Sequence, residues 1–259
     1  MAGELTTDNY WDSTYVFRGG VRPVSLDGYK SHCAKLIYSK KRPYVEAASS
    51  ILEIGGGGSQ WLAYLAPEFP SKEFVSLDFS KKGNALLSDY AKANELKNLS
   101  VEEGDFFSAN MGGKKFDFVY SHGVVEHFED LSSVLLGHSR FLSPTGAMLT
   151  IIPNMAGILG WLTKKMNKSV YDIHVPHDLG SFKKGHDDAG LRLVDFGYLC
   201  SSNFGVLSSC FKNQKSAGYR LYKQLTRVSK AVWWFEERSF ELPRSGLFSP
   251  YIFAVSKRG

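Results

Sequence analysis

Cysteine is scarce: the 259 residues hold three, Cys33, Cys200 and Cys210. Thiols so few and so far apart make neither a disulfide framework nor a zinc knuckle, and a reducing, cytoplasmic setting is the expectation. Long hydrophobic runs are also missing. The most apolar stretches, AMLTII and MAGILGWL, fall well short of the roughly 20 residues a spanning helix needs. The opening MAGELTTDNYWD is polar and acidic where a secretory leader is basic and then apolar, so neither a signal peptide nor a transmembrane segment is expected. There is no internal repeat and no low-complexity tract. What the chain does have is 43% hydrophobic, 22% charged and 14% aromatic residues, which excludes disordered and collagen-like classes and supplies a sizeable core. The formal charge of +5 is uneven, because residues 201–259 carry 10 basic against 3 acidic side chains. By composition, the bulk of the chain is not a nucleic-acid surface.

From residue 51 onward, short β-branched or aromatic runs ending in Gly, Asp or Asn alternate with helix-compatible stretches. Strands are predicted at 50–54, 73–77, 99–102, 116–121, 146–152, 191–199 and 250–255. The first five are spaced for crossovers that return a parallel strand to the same sheet, which are right-handed. The fold expected is α/β, a doubly wound, mostly parallel seven-stranded sheet. Residues 1–48 read as an N-terminal helical cap or lid, with a helix over 28–39. Residues 49–259 form the main domain, interrupted by a long connection at 153–176 and by an inserted helical segment at 201–246, before the last strand.

The strongest chemical signal is ILEIGGGGS. A buried strand ends in glycines 55 to 58, whose missing Cβ atoms permit a tight turn and a close approach of backbone to ligand, and a helix starting near Ser59 would aim its free N–H groups into that space. A dinucleotide fingerprint would need a third glycine at position 60, which is Gln60. The run resembles instead the E-x-G-x-G signature of class I S-adenosylmethionine-dependent methyltransferases, through Glu53, Gly55 and Gly57, with Ser59 where a further glycine sometimes stands. The resemblance extends over roughly residues 50–200 and the last strand. It implies that Asp78 in VSLDFS accepts hydrogen bonds from the ribose hydroxyls with Phe79 beside it, and that Asp105 and Phe106 in EGDFF meet the adenine. It also implies that Ser121 and His122, at the end of the fourth strand, lie near the sulfonium. S-adenosylmethionine is thus the cofactor expected, leaving S-adenosylhomocysteine as product. Some relatives hold a divalent cation with an E-x-x-E-H cluster at this place. Here the first position is Gly123, so Glu126 and His127 alone remain, and no metal is expected from two ligands.

A hydroxyl acceptor must lose its proton, and histidine suits the task because its unperturbed pKa of about 6.5 lies near working pH. Of seven histidines, His174 and His177 in YDIHVPHDLGS follow the fifth strand and overhang the edge where open α/β sheets bind ligands. They are the expected catalytic pair, with His122 in reserve; loop structure and a metal-like H-x-x-H spacing are the other readings of the same pair. His32, His138 and His186 fall in predicted helices away from that edge and are expected at the surface. In the N-terminal NYWDSTY and RGGVRP, the residues Tyr10, Trp11, Tyr15 and Arg18 form a candidate lid over cofactor and acceptor, as a similar Tyr-Trp-Asp stretch does in many small-molecule methyltransferases; simple packing of this segment on the sheet stands beside that reading.

The insert is the most individual segment. Lys212, Lys215, Arg220, Lys223, Arg227 and Lys230 come with no acidic residue between them, Leu221, Leu225, Val228 and Val232 recur at helical spacing, and Trp233, Trp234 and Phe235 follow. That is a basic amphipathic helix, open to packing on the domain, a homodimer contact, or contact with a membrane surface or anionic ligand. The function expected is methyl transfer to a small-molecule or sugar-like acceptor, most readily at oxygen with a histidine base. N- or C-transfer, an RNA methyltransferase using the insert, and a non-catalytic binding subunit are the rivals. Nucleic acid is the less favoured acceptor because the fourth strand ends in YSHG rather than the N/D-P-P-Y/F tetrapeptide used on base amines.

Overall fold

The computed structural model describes residues 3–15, 19–211 and 215–259. In chain order the elements are α1 (Asp8–Tyr15), α2 (His32–Ala47), β1 (Ser50–Ile54), α3 (Gln60–Glu68), β2 (Glu73–Asp78), α4 (Lys81–Ala93), β3 (Leu99–Glu103) and β4 (Phe116–His122). They continue with α5 (Leu131–Ser139), β5 (Leu142–Pro153), α6 (Ile158–Met166), α7 (Lys168–Asp172), α8 (Leu179–Asp188), β6 (Leu191–Leu199), α9 (Ala217–Glu236) and β7 (Tyr251–Arg258). The seven strands form one sheet in the order β3-β2-β1-β4-β5-β7-β6, parallel except for β7, which runs antiparallel to both its neighbours. Strand order reverses between β1 and β4, and it is outside the carboxyl ends of strands at such a point that open α/β sheets bind their ligands.

Because successive side chains of a strand point to opposite faces, the sheet builds two cores. Ile51, Phe74, Phe118 and Leu149 pack against α2, α3, α4 and Trp233 of α9. Leu52, Val75, Val119 and Met148 pack against Leu131, Val134 and Leu135 of α5 and Phe182 of α8. The helices start where their caps dictate: the Ser59 hydroxyl accepts from Trp61 and Leu62 N–H, Ser80 from Gly83 N–H, and Asp178 and Ser181 form a reciprocal capping box. The first helix predicted at 28–39 is found at His32–Ala47. Its Pro43 does not end it, because the interior face (Cys33, Ile37, Val45) is locked into the main core. Within the insert, residues Phe204–Cys210 form a 3-10 helix that packs with α6 and α9 around Leu159, Leu207 and Cys210.

Two expectations are corrected. Cys33 and Cys200 form a disulfide although 167 residues separate them, because α2 and the end of β6 meet on one face with Cα atoms 5.8 Å apart, well inside the bridging range. The reducing setting expected from cysteine scarcity loses that premise; Cys210 alone is free, and buried. Secondly, His32, His138 and His186 are not surface residues: all three are buried, the latter two at 0% exposure between α5, α8 and the sheet. The His138 and His186 Nδ1–H groups donate to the carbonyls of Val134 and Phe182, and His186 Nε2 meets Thr150 Oγ1 at 3.1 Å. Among the described residues no helix is long and apolar enough to cross a membrane.

Reduction, or Cys33→Ser, is expected to lower the urea midpoint, by up to about 5 kcal/mol of stability for a closed loop of this length. Coincident unfolding curves with and without reductant would show that the bridge contributes nothing. Burial holds both His138 and His186 down to about 4, against about 6.5 in an unfolded chain. Between those values the unfolded chain binds more protons, so the stability these residues contribute is intact above pH 6.5 and is lost as pH falls towards 4. Urea midpoints measured across that window should fall with pH, and His186→Gln should flatten the slope; an unaltered slope would refute the assignment.

Candidate cofactor cleft and acceptor site

The loop after β1 owes its path to its glycines. Gly55 has φ +75°, and a Cβ there would lie 2.4 Å from Val124 Cγ2. At Gly57 a Cβ would fall 2.8 Å from Asp78 Oδ2 and 3.2 Å from the Cα of Gly83, so only glycine lets the β1 loop, the β2 end and α4 close together. Gly57 N–H donates to Asp78 Oδ2 at 2.8 Å and Ser80 N–H to Oδ1 at 2.7 Å. A carboxylate offers about four lone-pair sites, which these backbone donors do not exhaust. Burial raises the Asp78 pKa, against the pull of its backbone N–H donors.

Behind the loop lies a buried polar network. Glu53, 5% exposed, accepts from the Ser59 hydroxyl and from Tyr120 OH at 2.8 Å. Lys41 of α2 reaches in from the same face, fully buried, with Nζ 3.4 Å from the centroid of the Tyr120 ring. Burial lowers Lys41 to about 7 and raises Glu53, each group's charge offsetting the other's desolvation.

A cleft opens at the carboxyl ends of β1, β2 and β4. Of the residues predicted to bind cofactor, Gly55, Asp78, Phe79, Phe106 and His122 line it. Gly57 supports it by its bond to Asp78, while Glu53 and Ser121 are buried beneath, and Asp105 is exposed outside it, tied to Phe107 N–H at 2.9 Å. Of the lid residues, Trp11 and Tyr15 line the cleft; Tyr15 OH donates to Gly57 O at 2.6 Å, and Asp12 accepts from Ser80 Oγ at 2.6 Å, so α1 is fastened onto the cofactor loop. Tyr10 stands behind, edge-on to Trp11 with ring centroids 5.2 Å apart, and Arg18 lies outside the described residues.

The histidines fall differently from expectation. Neither His174 nor His177 lines the cleft; His127 does, on the turn Val125–His127 that follows β4. His174 packs against His127, ring centroids 4.5 Å apart, and His177 lies further off against Phe182. His127 Nδ1 meets Ile173 O and His174 Nδ1 meets Val170 O, both at 2.6 Å. Glu126, 1% exposed, has one carboxylate oxygen 3.9 Å from His127 Nε2. Burial raises Glu126 to about 8 and lowers both His122 and His127 to about 3, with Lys41 adding to the first and His174 to the second. Burial also lowers His174 and His177. Sequence reasoning set Glu126 and His127 aside because position 123 is Gly; their adjacency after the strand was the available signal.

A seven-stranded sheet with this strand order, a glycine turn after β1 and a carboxylate closing β2 defines the class I methyltransferase architecture. A family model described as a methyltransferase domain matches residues 46–187, more than half of the chain, and the chain belongs to that family: it is an S-adenosylmethionine-dependent methyltransferase. Comparison with curated sequences gives no match. Among solved structures, coclaurine N-methyltransferase bound to N-methylheliamine and S-adenosylhomocysteine superposes with a TM-score of 0.68 at 12% identity, over 100% of this chain and 84% of that one. A Galdieria sulphuraria protein assigned as a sarcosine dimethylglycine methyltransferase gives 0.60 at 14% identity, over 97% and 98%. An O-methyltransferase family protein from Burkholderia thailandensis gives 0.52 at 14%, over 88% and 60%. At such identities the likeness is one of fold. The residues present fit the cofactor: a glycine cradle that a Cβ would fill, the Asp78 carboxylate and the aromatic faces of Phe79 and Phe106 converge on one cleft.

Asp78→Ala should weaken S-adenosylhomocysteine binding about 10- to 100-fold, the value of charge-assisted hydrogen bonds, with the fold retained by circular dichroism. Calorimetry showing unchanged affinity would remove Asp78 from the site.

Proposed function

We propose that the protein methylates an oxygen of a small, hydroxylated or sugar-like acceptor seated between α1 and the ends of β1 and β4. The bound cofactor supplies an electrophilic methyl on a sulfonium, which leaves as a thioether. The chain's own contribution is to place the acceptor oxygen in line at about 3 Å and to ease loss of its proton. The observation that carries the reading is His127 facing the cleft beside His122, with its Nδ1 occupied by Ile173 O. A carbonyl only accepts, so Nδ1 carries the proton and Nε2 presents a lone pair. The group acting on the acceptor proton is thus the cluster of Glu126, His127 and His174, and in this reading His177 has a loop role. Trp11 and Tyr15 exclude water from the cleft and complete its apolar wall.

The partner reading follows from the insert. On α9, Leu221, Val228 and Trp234 are about half exposed while Leu225, Val232 and Trp233 pack inward, and Arg220, Lys223, Arg227 and Lys230 share the outer side; Lys212 lies outside the described residues. Apolar side chains flanked by cations support contact with an anionic surface that brings an acceptor to the enzyme, and the like charges oppose self-pairing of this helix into a homodimer.

An acceptor screen that follows S-adenosylhomocysteine release, hydroxylated small molecules and sugars first, tests the reading. With a hydroxyl acceptor, His127→Ala should lower kcat by roughly 100-fold or more while cofactor affinity stays within a few-fold. Turnover of amines alone, indifferent to His127→Ala, would favour N-transfer and sink the proposal.

A further inference from the structure

The cluster beside the cleft is short of an electrophile. Glu126, His127 and His174 each offer a ligand atom, all within 4.8 Å of one another. Both histidines spend their Nδ1–H on backbone carbonyls, Ile173 O and Val170 O, so each keeps a bare Nε2 lone pair. Outer hydrogen bonds of that kind are what fix the tautomer and ring orientation of metal-binding histidines. Between Glu126 and His127 the nearest approach is 3.9 Å, too long for a hydrogen bond, and the other Glu126 oxygen is buried with no hydrogen-bond partner among the described residues. Two imidazole lone pairs and a carboxyl group thus converge in a buried place without hydrogen-bonding one another, and a cation that joins them takes the place of the carboxyl proton.

The backbone holds the three together independently of their side chains. Val175 N–H donates to Glu126 O at 2.7 Å, clamping the segment that carries His174 onto the turn that carries Glu126 and His127. Trp11 covers His127 edge-on with ring centroids 5.0 Å apart, and His127 borders the cleft. A cation held here would have three protein ligands and an open side towards the acceptor.

We infer that Glu126, His127 and His174 form a binding site for one divalent first-row transition cation of the zinc class, whose open position takes the acceptor oxygen. Two nitrogens and one carboxylate suit zinc, cobalt or iron(II), whereas magnesium and calcium need a shell of oxygens. This also revises the expectation of no metal, which counted Glu126 and His127 and could not see His174 join them. The role at the acceptor rests on the O-methylation reading; the site itself does not. In that role the acceptor O–H bond breaks with its proton released to water, the oxygen pair forms the new O–CH₃ bond, and the S–CH₃ pair stays on sulfur.

Protein stripped with chelator and dialysed, then titrated with Co²⁺ and followed by calorimetry and visible absorption, tests the site. One Co²⁺ per chain with a d–d band of low-symmetry coordination is expected, with binding weakened more than about tenfold in both Glu126→Gln and His174→Ala. S-adenosylhomocysteine affinity, measured on the same samples and expected within a few-fold of wild type, separates loss of the metal site from failure of the cofactor reading. Should a variant not fold, X-ray absorption of the zinc-loaded wild type decides: two imidazoles with oxygen ligands support the site. No stoichiometric Co²⁺ uptake by the wild type, or equal uptake by folded variants, would overturn the inference.

Discussion

The Glu53 carboxylate is the junction on which the other parts of the cofactor cleft depend. It stands opposite Tyr120 in the parallel register of β1 and β4 and accepts a hydrogen bond from that residue's hydroxyl, while Ser59, the cap of α3, donates to it from the far side of the glycine loop. Lys41 brings α2 to the same point. Four elements and the loop thus meet at one buried polar cluster, in which Lys41 packs on the Tyr120 ring and acts on Glu53 through its charge. Removing one of these groups leaves its neighbours buried with less compensation, which is destabilising. The network fixes where the glycine turn sits relative to β4, and hence the distance between the cofactor loop and the histidine side of the cleft.

Around that junction the structure divides its labour by sheet face. The first face carries α2, α3, α4 and α9 and supports the glycine loop that borders the cleft. The second carries α5 and α8 and supports the turn and loop that bring His127 and His174 together. Burial has the same electrostatic consequence at His122, His127, His138 and His186: each is held neutral at working pH. Neutral imidazoles can present lone pairs, which a protonated ring cannot, so the low-dielectric interior conditions the chemistry open to the cleft.

The strands, the glycine turn and Asp78 were legible because each is a local pattern. Alternation of β-branched runs with polar stretches reports a strand buried on two faces, and four successive glycines report a turn that tolerates no Cβ. Asp105 shows the limit of such reading, for it ends the right segment yet caps its own turn outside the cleft. His174 and His177 were drawn to the site because their segment overhangs the correct edge; that His174 is the one packed on His127 goes with Val175 bonding to Glu126 O, a contact no spacing announces.

By itself the sequence determined the α/β class, the number of strands and the glycine turn after β1, since these follow from hydrogen-bonding periods and the conformational limits of residues close in the chain, and the motif there carried the resemblance to the methyltransferases. Only the tertiary structure decided that Cys33 meets Cys200, that Lys41 is buried over the Tyr120 ring near Glu53, that His138 and His186 are buried, and that His127 rather than His177 faces the cleft. The physical reason is common to all four. Each joins groups through space by way of how helices seat on a twisted sheet, and that seating is settled by the packing of whole faces, not by any pattern of neighbours along the chain.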